Sequence, residues 1–220
     1  MTDKLTIPVI LKGGARTPIG RFLGGLSPLS APELGAIAVR AAIARAGIEA
    51  SDLDEVIMGN VVSAGGGQAP ARQAAVNGGV PATIPALTIN KVCGSGLKAV
   101  MLAAQAVRAG DARLVLAGGM ESMSNVPFYA RGLRDGVKLG NQTLEDGLIH
   151  DGLWCSFGDC HMGGYAEYTA DKAGVTRSDA DEFSLRSHQK AVEATREGRF
   201  RNEIVPVEVE GRRGVTVVDT

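Results

Sequence analysis

The stretch Ala86-Leu-Thr-Ile-Asn-Lys-Val-Cys-Gly-Ser-Gly-Leu-Lys-Ala-Val100 decides the fold. Leu87 to Val92 is short and rich in β-branched residues, which predicts a strand. From Gly94 onward, Leu97, Val100, Met101, Ala104 and Val107 recur at helical spacing until Gly110 closes the helix. Cys93 therefore falls where a strand hands over to a helix N-terminus. Unpaired N–H groups and the positive end of the helix dipole favour a thiolate at such a place. Gly94 and Gly96 carry no side chains, so another molecule can approach the sulfur. A free cysteine is commonly a small buried hydrophobe. Strand, cysteine, paired glycines and helix in sequence point instead to a nucleophile.

Working outward, strand and helix alternate. Ile7 to Lys12 is a strand candidate, followed by a loop from Gly13 to Ser30. Ser30, Pro32 and Glu33 open a helix expected to bury Leu34, Ile37, Ala41 and Ile43 and to end at Gly47. Glu55 to Val62 is a second strand. A short helix starts near Pro70 and stops at Gly78, and Leu114 to Ala117 is a further strand before Gly118-Gly119. This rhythm predicts an α/β domain with a parallel-rich mixed sheet and helices packed on it. Sites in such sheets gather at the carboxyl ends of strands, which is where Cys93 falls.

The pattern changes after Met120. A loop-rich stretch carries Arg131, Arg134 and Lys138, then an amphipathic piece spans Thr143 to Leu153. Helices follow from about Met162 to Lys172 and from about Asp179 to Glu197, the second with an acidic first turn and Gly198 at its end. Ile204 to Val209 and Val215 to Val218 flank Gly211-Arg-Arg-Gly214 as a small hairpin, with Arg212 and Arg213 in a solvated turn. The expected division is 1–120 for an α/β core and 121–220 for a mostly helical insertion.

The bulk numbers narrow the function classes. The 220 residues include 30 glycines, 45% hydrophobic residues and only 4% aromatics, which suits an α/β core with close backbone packing. A formal net charge of −1 provides no general attraction to nucleic acid or an anionic membrane. No apolar run approaches the about 20 residues that span a bilayer. The polar start, Met1 to Lys4, lacks the apolar segment of a signal peptide. Three cysteines without regular spacing suggest a reducing, cytoplasmic setting. Cys155, Cys160 and His161 do not match a zinc-ligand pattern, so no metal is expected. Gly65-Gly-Gly67 lacks the Lys-Ser/Thr ending of a phosphate loop.

Several segments together resemble the thiolase family, in particular its acetyl-CoA C-acetyltransferase type. They are Gly14-Ala-Arg-Thr-Pro-Ile-Gly-Arg21, Gly67-Gln-Ala-Pro-Ala-Arg-Gln73, Asn90-Lys-Val-Cys-Gly-Ser-Gly-Leu-Lys-Ala99, Ala117-Gly-Gly-Met-Glu-Ser-Met-Ser124, His161-Met-Gly163 and Gly198-Arg-Phe-Arg-Asn-Glu-Ile-Val-Pro206. They run in family order along essentially the whole chain. The resemblance implies that residues 1–120 are the N-terminal thiolase core and that 121–220 belong to the loop domain covering the CoA pantetheine. It implies that Cys93 accepts an acyl group from a coenzyme A thioester, its backbone N–H contributing to an oxyanion hole. A second acetyl-CoA enolate would then attack, giving acetoacetyl-CoA; thiolysis is the reverse. His161 and Met162 would line the acyl pocket, with Gly94 beside the CoA thioester. His161, taken alone, reads as a helix cap or packing residue, and Met162 as core filler. His150 and His188 match no catalytic position. No permanently bound cofactor is implied, coenzyme A entering as substrate, and a homodimer or homotetramer is expected.

The resemblance also predicts a second core domain after the loop domain. That half would carry a Gly-His-Pro histidine, an Asn-Glu-Ala-Phe asparagine and a Cys-x-Gly-Gly-Gly cysteine, none of which occurs in these 220 residues. The chain thus corresponds to a thiolase N-terminal half, expected to have negligible condensation activity alone. Its uncovered apolar surface should pair with further copies or with a complementary C-terminal half. The alternatives are a non-catalytic thiolase-like subunit or scaffold and a ketoacyl synthase-like condensing enzyme. The long insertion after Met120 argues against the latter.

Overall fold

A computed structural model describes residues 8–211 and 214–220. The core element is a parallel sheet of three strands, β1 (Glu55–Gly59), β2 (Ala86–Ile89) and β3 (Val115–Gly119), in the order β2-β1-β3. Among the described residues its pairings are parallel, in keeping with the parallel-rich α/β core expected. β1 is central and almost wholly buried, as a strand covered on both faces must be. Val56 and Met58 alternate onto one face, in a cluster with Val39, Ala71 and Ala74. That cluster is built from α1 (Ala31–Ala46) and α2 (Pro70–Asn77). α3 (Ser95–Ala109) packs against β1 and β3.

The helix ends follow local chemistry. Ser30 and Glu33 form a reciprocal capping box at the start of α1, and Gly47 ends it in the left-handed conformation. Thr88, within β2, accepts the Ala71 N–H on its hydroxyl at 2.9 Å, so a strand side chain caps α2. The buried face of α1 differs from the one expected. Pro32, Gly35, Ala36, Val39 and Ala46 lie deepest, while Leu34, Ile37 and Ile43 are partly buried. Small residues win because α1 lies close: a Cβ on Gly35 would sit 2.6 Å from Met120 Sδ.

The strand expected over residues 7–12 is not formed where it can be seen. Ile7 lies outside the described residues, and 8–12 join no strand. Pro8 has no N–H to donate, and Ile10 and Leu11 are 85% and 77% exposed. A cleft of about 480 Å³ lies between this segment and the residues of α3 and β3.

By packing the chain forms two compact units. One runs to Phe128 and takes in Glu203–Thr220; the other is Tyr129–Asn202. The division expected, 1–120 and 121–220, follows the change of sequence pattern, whereas packing carries the first unit through Phe128 and brings Glu203–Thr220 back to it. The terminal hairpin, Val207–Gly211 with Gly214–Val218, joins the first unit because Val207 and Val209 are buried with Leu26. The Arg45 guanidinium fastens it by donating to the Glu203 and Ile204 carbonyls at 2.8 and 2.9 Å. Arg212 and Arg213 lie outside the described residues. In the second unit, the amphipathic piece becomes a two-residue strand at Glu145–Asp146 and a π-helical turn at Ile149–Leu153. α4 (Met162–Ala173) and α5 (Arg177–Arg196) follow. No helix among the described residues is long and apolar enough to cross a membrane.

Candidate active site

Cys93 is exposed and stands one residue before Gly94, the N-cap of α3, which has no side-chain cap. β2 ends at Ile89, earlier than expected, because side chains capture the backbone that would extend it. The Val92 N–H donates to Asn90 Oδ1 at 2.8 Å and the Lys91 N–H to Ser95 Oγ at 2.8 Å. Ser95 Oγ in turn donates to the Val92 carbonyl at 2.6 Å. Val92 is consequently held at φ +47°, a conformation a β-branched residue rarely adopts. Such strain, about 1–3 kcal/mol, persists only where surrounding bonds enforce it.

Glycines seat the cysteine-bearing turn on the sheet. A Cβ on Gly59 would lie 2.6 Å from the Ser95 carbonyl carbon and 2.7 Å from Gly96 N. One on Gly119 would lie 3.1 Å from Gly96 Cα. The first turn of α3 therefore rests, backbone on backbone, against the carboxyl ends of β1 and β3. Ser95, 4% exposed, belongs to the same seat and ties the loop from inside. The site so built offers an accessible sulfur at the head of a helix that has no side-chain cap, a placement suited to nucleophilic attack on an acyl carbon.

Gly-Gly-Met-Glu-Ser-Met-Ser works as a clamp. The Glu121 carboxylate accepts Val61 N at 2.9 Å, Val62 N at 3.0 Å and Asn60 Nδ2 at 2.6 Å, closing the loop after β1. Burial pushes the Glu121 carboxyl above its ordinary value, against the lowering effect of these donors. Ser122 Oγ donates to the Leu29 carbonyl, and Asn125 Nδ2 to those of Ser27 and Leu29. A cleft of about 210 Å³ lies between this clamp and residues 17–22. Glu121, Asn60 and Ser95 escaped the sequence reading; the signal for them was a polar residue embedded among glycines and apolar neighbours.

Cys93 and Gly94 belong to the first unit, His161 and Met162 to the second. His161 is the N-cap of α4, its Nδ1 accepting the Gly163 N–H at 2.9 Å. Met162 begins the helix and is 42% exposed. His150 lies in an exposed network, with Nδ1 2.7 Å from Asp151 and Nε2 2.9 Å from the Arg131 guanidinium. Tyr129 donates its hydroxyl to Asp151, which pushes the phenol up to about 12. His188 is exposed on α5.

A family model for the thiolase N-terminal domain matches residues 9–220. The chain belongs to the thiolase family. It is 52% identical over 214 residues to an acetyl-CoA acetyltransferase of Cupriavidus necator, covering 97% of this chain and 53% of that protein. It is 50% identical over 206 residues to one from Pseudomonas aeruginosa, covering 94% and 52%. One from Yarrowia lipolytica is 47% identical over 219 residues, covering 98% and 54%. This thiolase chain thus spans about half the length of the curated relatives it matches.

Proposed function

We propose that this chain is the nucleophile-bearing part of an acyltransferase that works on coenzyme A thioesters, condensing two acetyl-CoA to acetoacetyl-CoA or running the reverse thiolysis. The observation that carries it is the exposed Cys93 thiol at the strained turn into α3. The names of the relatives support acetyl-CoA as substrate.

In the first half-reaction the Cys93 thiolate attacks the thioester carbonyl carbon. The carbonyl oxygen becomes an oxyanion, to which the Cys93 N–H at the head of α3 donates. Collapse of that intermediate breaks the carbon–sulfur bond to coenzyme A, which leaves as the thiol with a proton, and the acyl group stays on Cys93. In the second, a carbanion from another acetyl-CoA displaces the acyl group from the sulfur. That step needs a positioned base, which the resemblance puts in a second core domain. The resemblance assigns residues 121–220 to the loop domain that covers the coenzyme A pantetheine, and His161 and Met162 to the lining of the acyl pocket. The working enzyme is cytoplasmic and oligomeric. Exposed apolar groups such as Leu97 and Met101 on α3 support an assembly with copies of the chain or with a complementary half.

Incubation with acetyl-CoA followed by peptide mass spectrometry tests this. An acetyl group on the peptide containing Cys93, absent in Cys93→Ala, is the expected result, together with negligible acetoacetyl-CoA formation by the chain alone. Acetylation of Cys155 or Cys160 instead, with Cys93 unmodified, would overturn the assignment.

A further inference from the structure

The Tyr129–Asn202 unit holds two more thiols that acyl transfer does not use. Cys155 and Cys160 are both free and half-buried. They stand directly opposite each other in an antiparallel pair, Trp154–Cys155 against Cys160–His161, in the register Cys155↔Cys160 and Trp154↔His161. Opposed residues of antiparallel strands have Cα atoms about 4.5 or 5.5 Å apart, depending on the pair type. A disulfide needs a Cα separation of about 4.4–6.8 Å, so either type of pair admits one. The connecting turn, Ser156 to Asp159, closes with Asp159 at φ +46° and keeps the two strands facing.

The surroundings equip one sulfur to act first. Cys155 Sγ accepts the Gly158 N–H at 3.4 Å, and the Tyr165 hydroxyl and the Phe157 N–H add to the polar surroundings that favour its charged form. These donors, Gly158 first, hold the Cys155 thiol below its ordinary value, which favours the thiolate. Tyr165, on α4, interacts with both sulfurs and is pushed up to about 12, mainly by its hydrogen bond to Cys155. Its hydroxyl therefore remains a donor near neutral pH. Among the described residues no three His, Cys, Asp or Glu side chains converge on a point that could hold a metal.

We propose that Cys155 and Cys160 form a dithiol–disulfide pair, oxidised by hydrogen peroxide and reopened by thiols. The Cys155 thiolate attacks the outer oxygen of the peroxide; the O–O bond breaks and the leaving hydroxide takes a proton to become water. Cys155 is then a sulfenic acid. The Cys160 sulfur attacks that sulfur, the S–O bond breaks, and a second water leaves with the Cys160 proton. Two thiols lose two electrons and the peroxide gains them. A thiol such as glutathione reverses the reaction by disulfide exchange. The bond clips the hairpin that presents His161, the cap of α4.

The test uses the intact chain, treated with hydrogen peroxide, alkylated with iodoacetamide and cut with trypsin. Both cysteines fall on the peptide Leu139–Lys172, whereas Cys93 falls on Val92–Lys98, so the two chemistries are read separately. The expected result is a Leu139–Lys172 peptide lighter by two hydrogens and carrying no alkyl group, which regains two alkyl groups after dithiothreitol. In Cys160→Ser the bond is lost and dimedone traps a sulfenic acid on Cys155. Full alkylation of both cysteines after peroxide would overturn the proposal. So would a bond joining either of them to Cys93, or irreversible oxidation of Cys155 while Cys160 is present.

Discussion

The two compact units keep their shape by different means. In the first, Val56, Ala71, Ala74 and Ala99 are fully buried, and the helices are tied to the sheet by apolar contact. In the second, neither α4 nor α5 buries a residue, although Phe183, Leu185 and Val192 are large and apolar. α5 depends on local devices: a Thr176–Asp179 capping box and the ion pairs Arg177–Asp181 and Glu182–Arg186 at i,i+4 spacing. Such pairs contribute only about 0.2–0.5 kcal/mol each, whereas most helical stability in proteins comes from packing an apolar face. The first unit is held by a buried apolar cluster; the helices of the second rest on caps and ion pairs and leave their apolar side chains in solvent.

Mutations can break this contrast. The largest effect is expected at Met58, 2% exposed in the main cluster. Met58→Ala should cost about 2–5 kcal/mol in urea unfolding, since it removes transfer energy and leaves a cavity. A cost as small as that of a surface change would mean that the first unit is not the packed one. An intermediate effect belongs to the cap of α1, where Ser30→Ala should cost about 1 kcal/mol. This loss should depend on pH. The Ser30 hydroxyl and N–H hold the Glu33 carboxyl below its ordinary 4.5, so folding favours the charged form. The cap's contribution is therefore present above pH 4.5 and disappears as pH falls through the lowered folded value. Wild type and Ser30→Ala should converge in stability at acid pH; a constant gap would rule out the carboxylate. The smallest effect is expected at Phe183, 68% exposed on α5. Phe183→Ala should shift stability by no more than about 0.5 kcal/mol in the isolated chain. A larger loss would reveal a partner surface already in place.

What could be anticipated from the residues follows the same division. Pro70 and Gly78 bracket α2, and Ser30, Glu33 and Gly47 bracket α1, because caps and breakers act over a few positions. The placement of Cys93 before α3 was legible for the same reason. The end of β2 was not. Val92 has a strand former's side chain, yet hydrogen bonds from Asn90 and Ser95 turn the chain first, and such capture depends on a helix four residues away. The small-residue face of α1 was hidden because periodicity rewards Leu34 and Ile37, whereas close approach rewards Gly35 and Ala36. Glu121 looked like a loop acid; only the fold brings Asn60, Val61 and Val62 to it. The opposition of Cys155 and Cys160 needed a hairpin too short to leave a pattern.

The contact of Gly59 and Gly119 with the head of α3 carries one last implication. Where main chain touches main chain, no rotamer can absorb an added methyl group, and no neighbouring swap can compensate for it. The coordinates of the reactive atom are thereby decoupled from drift elsewhere in the interior. Divergence in what is accepted would have to be written in the loops around this seat, leaving the nucleophile where it was.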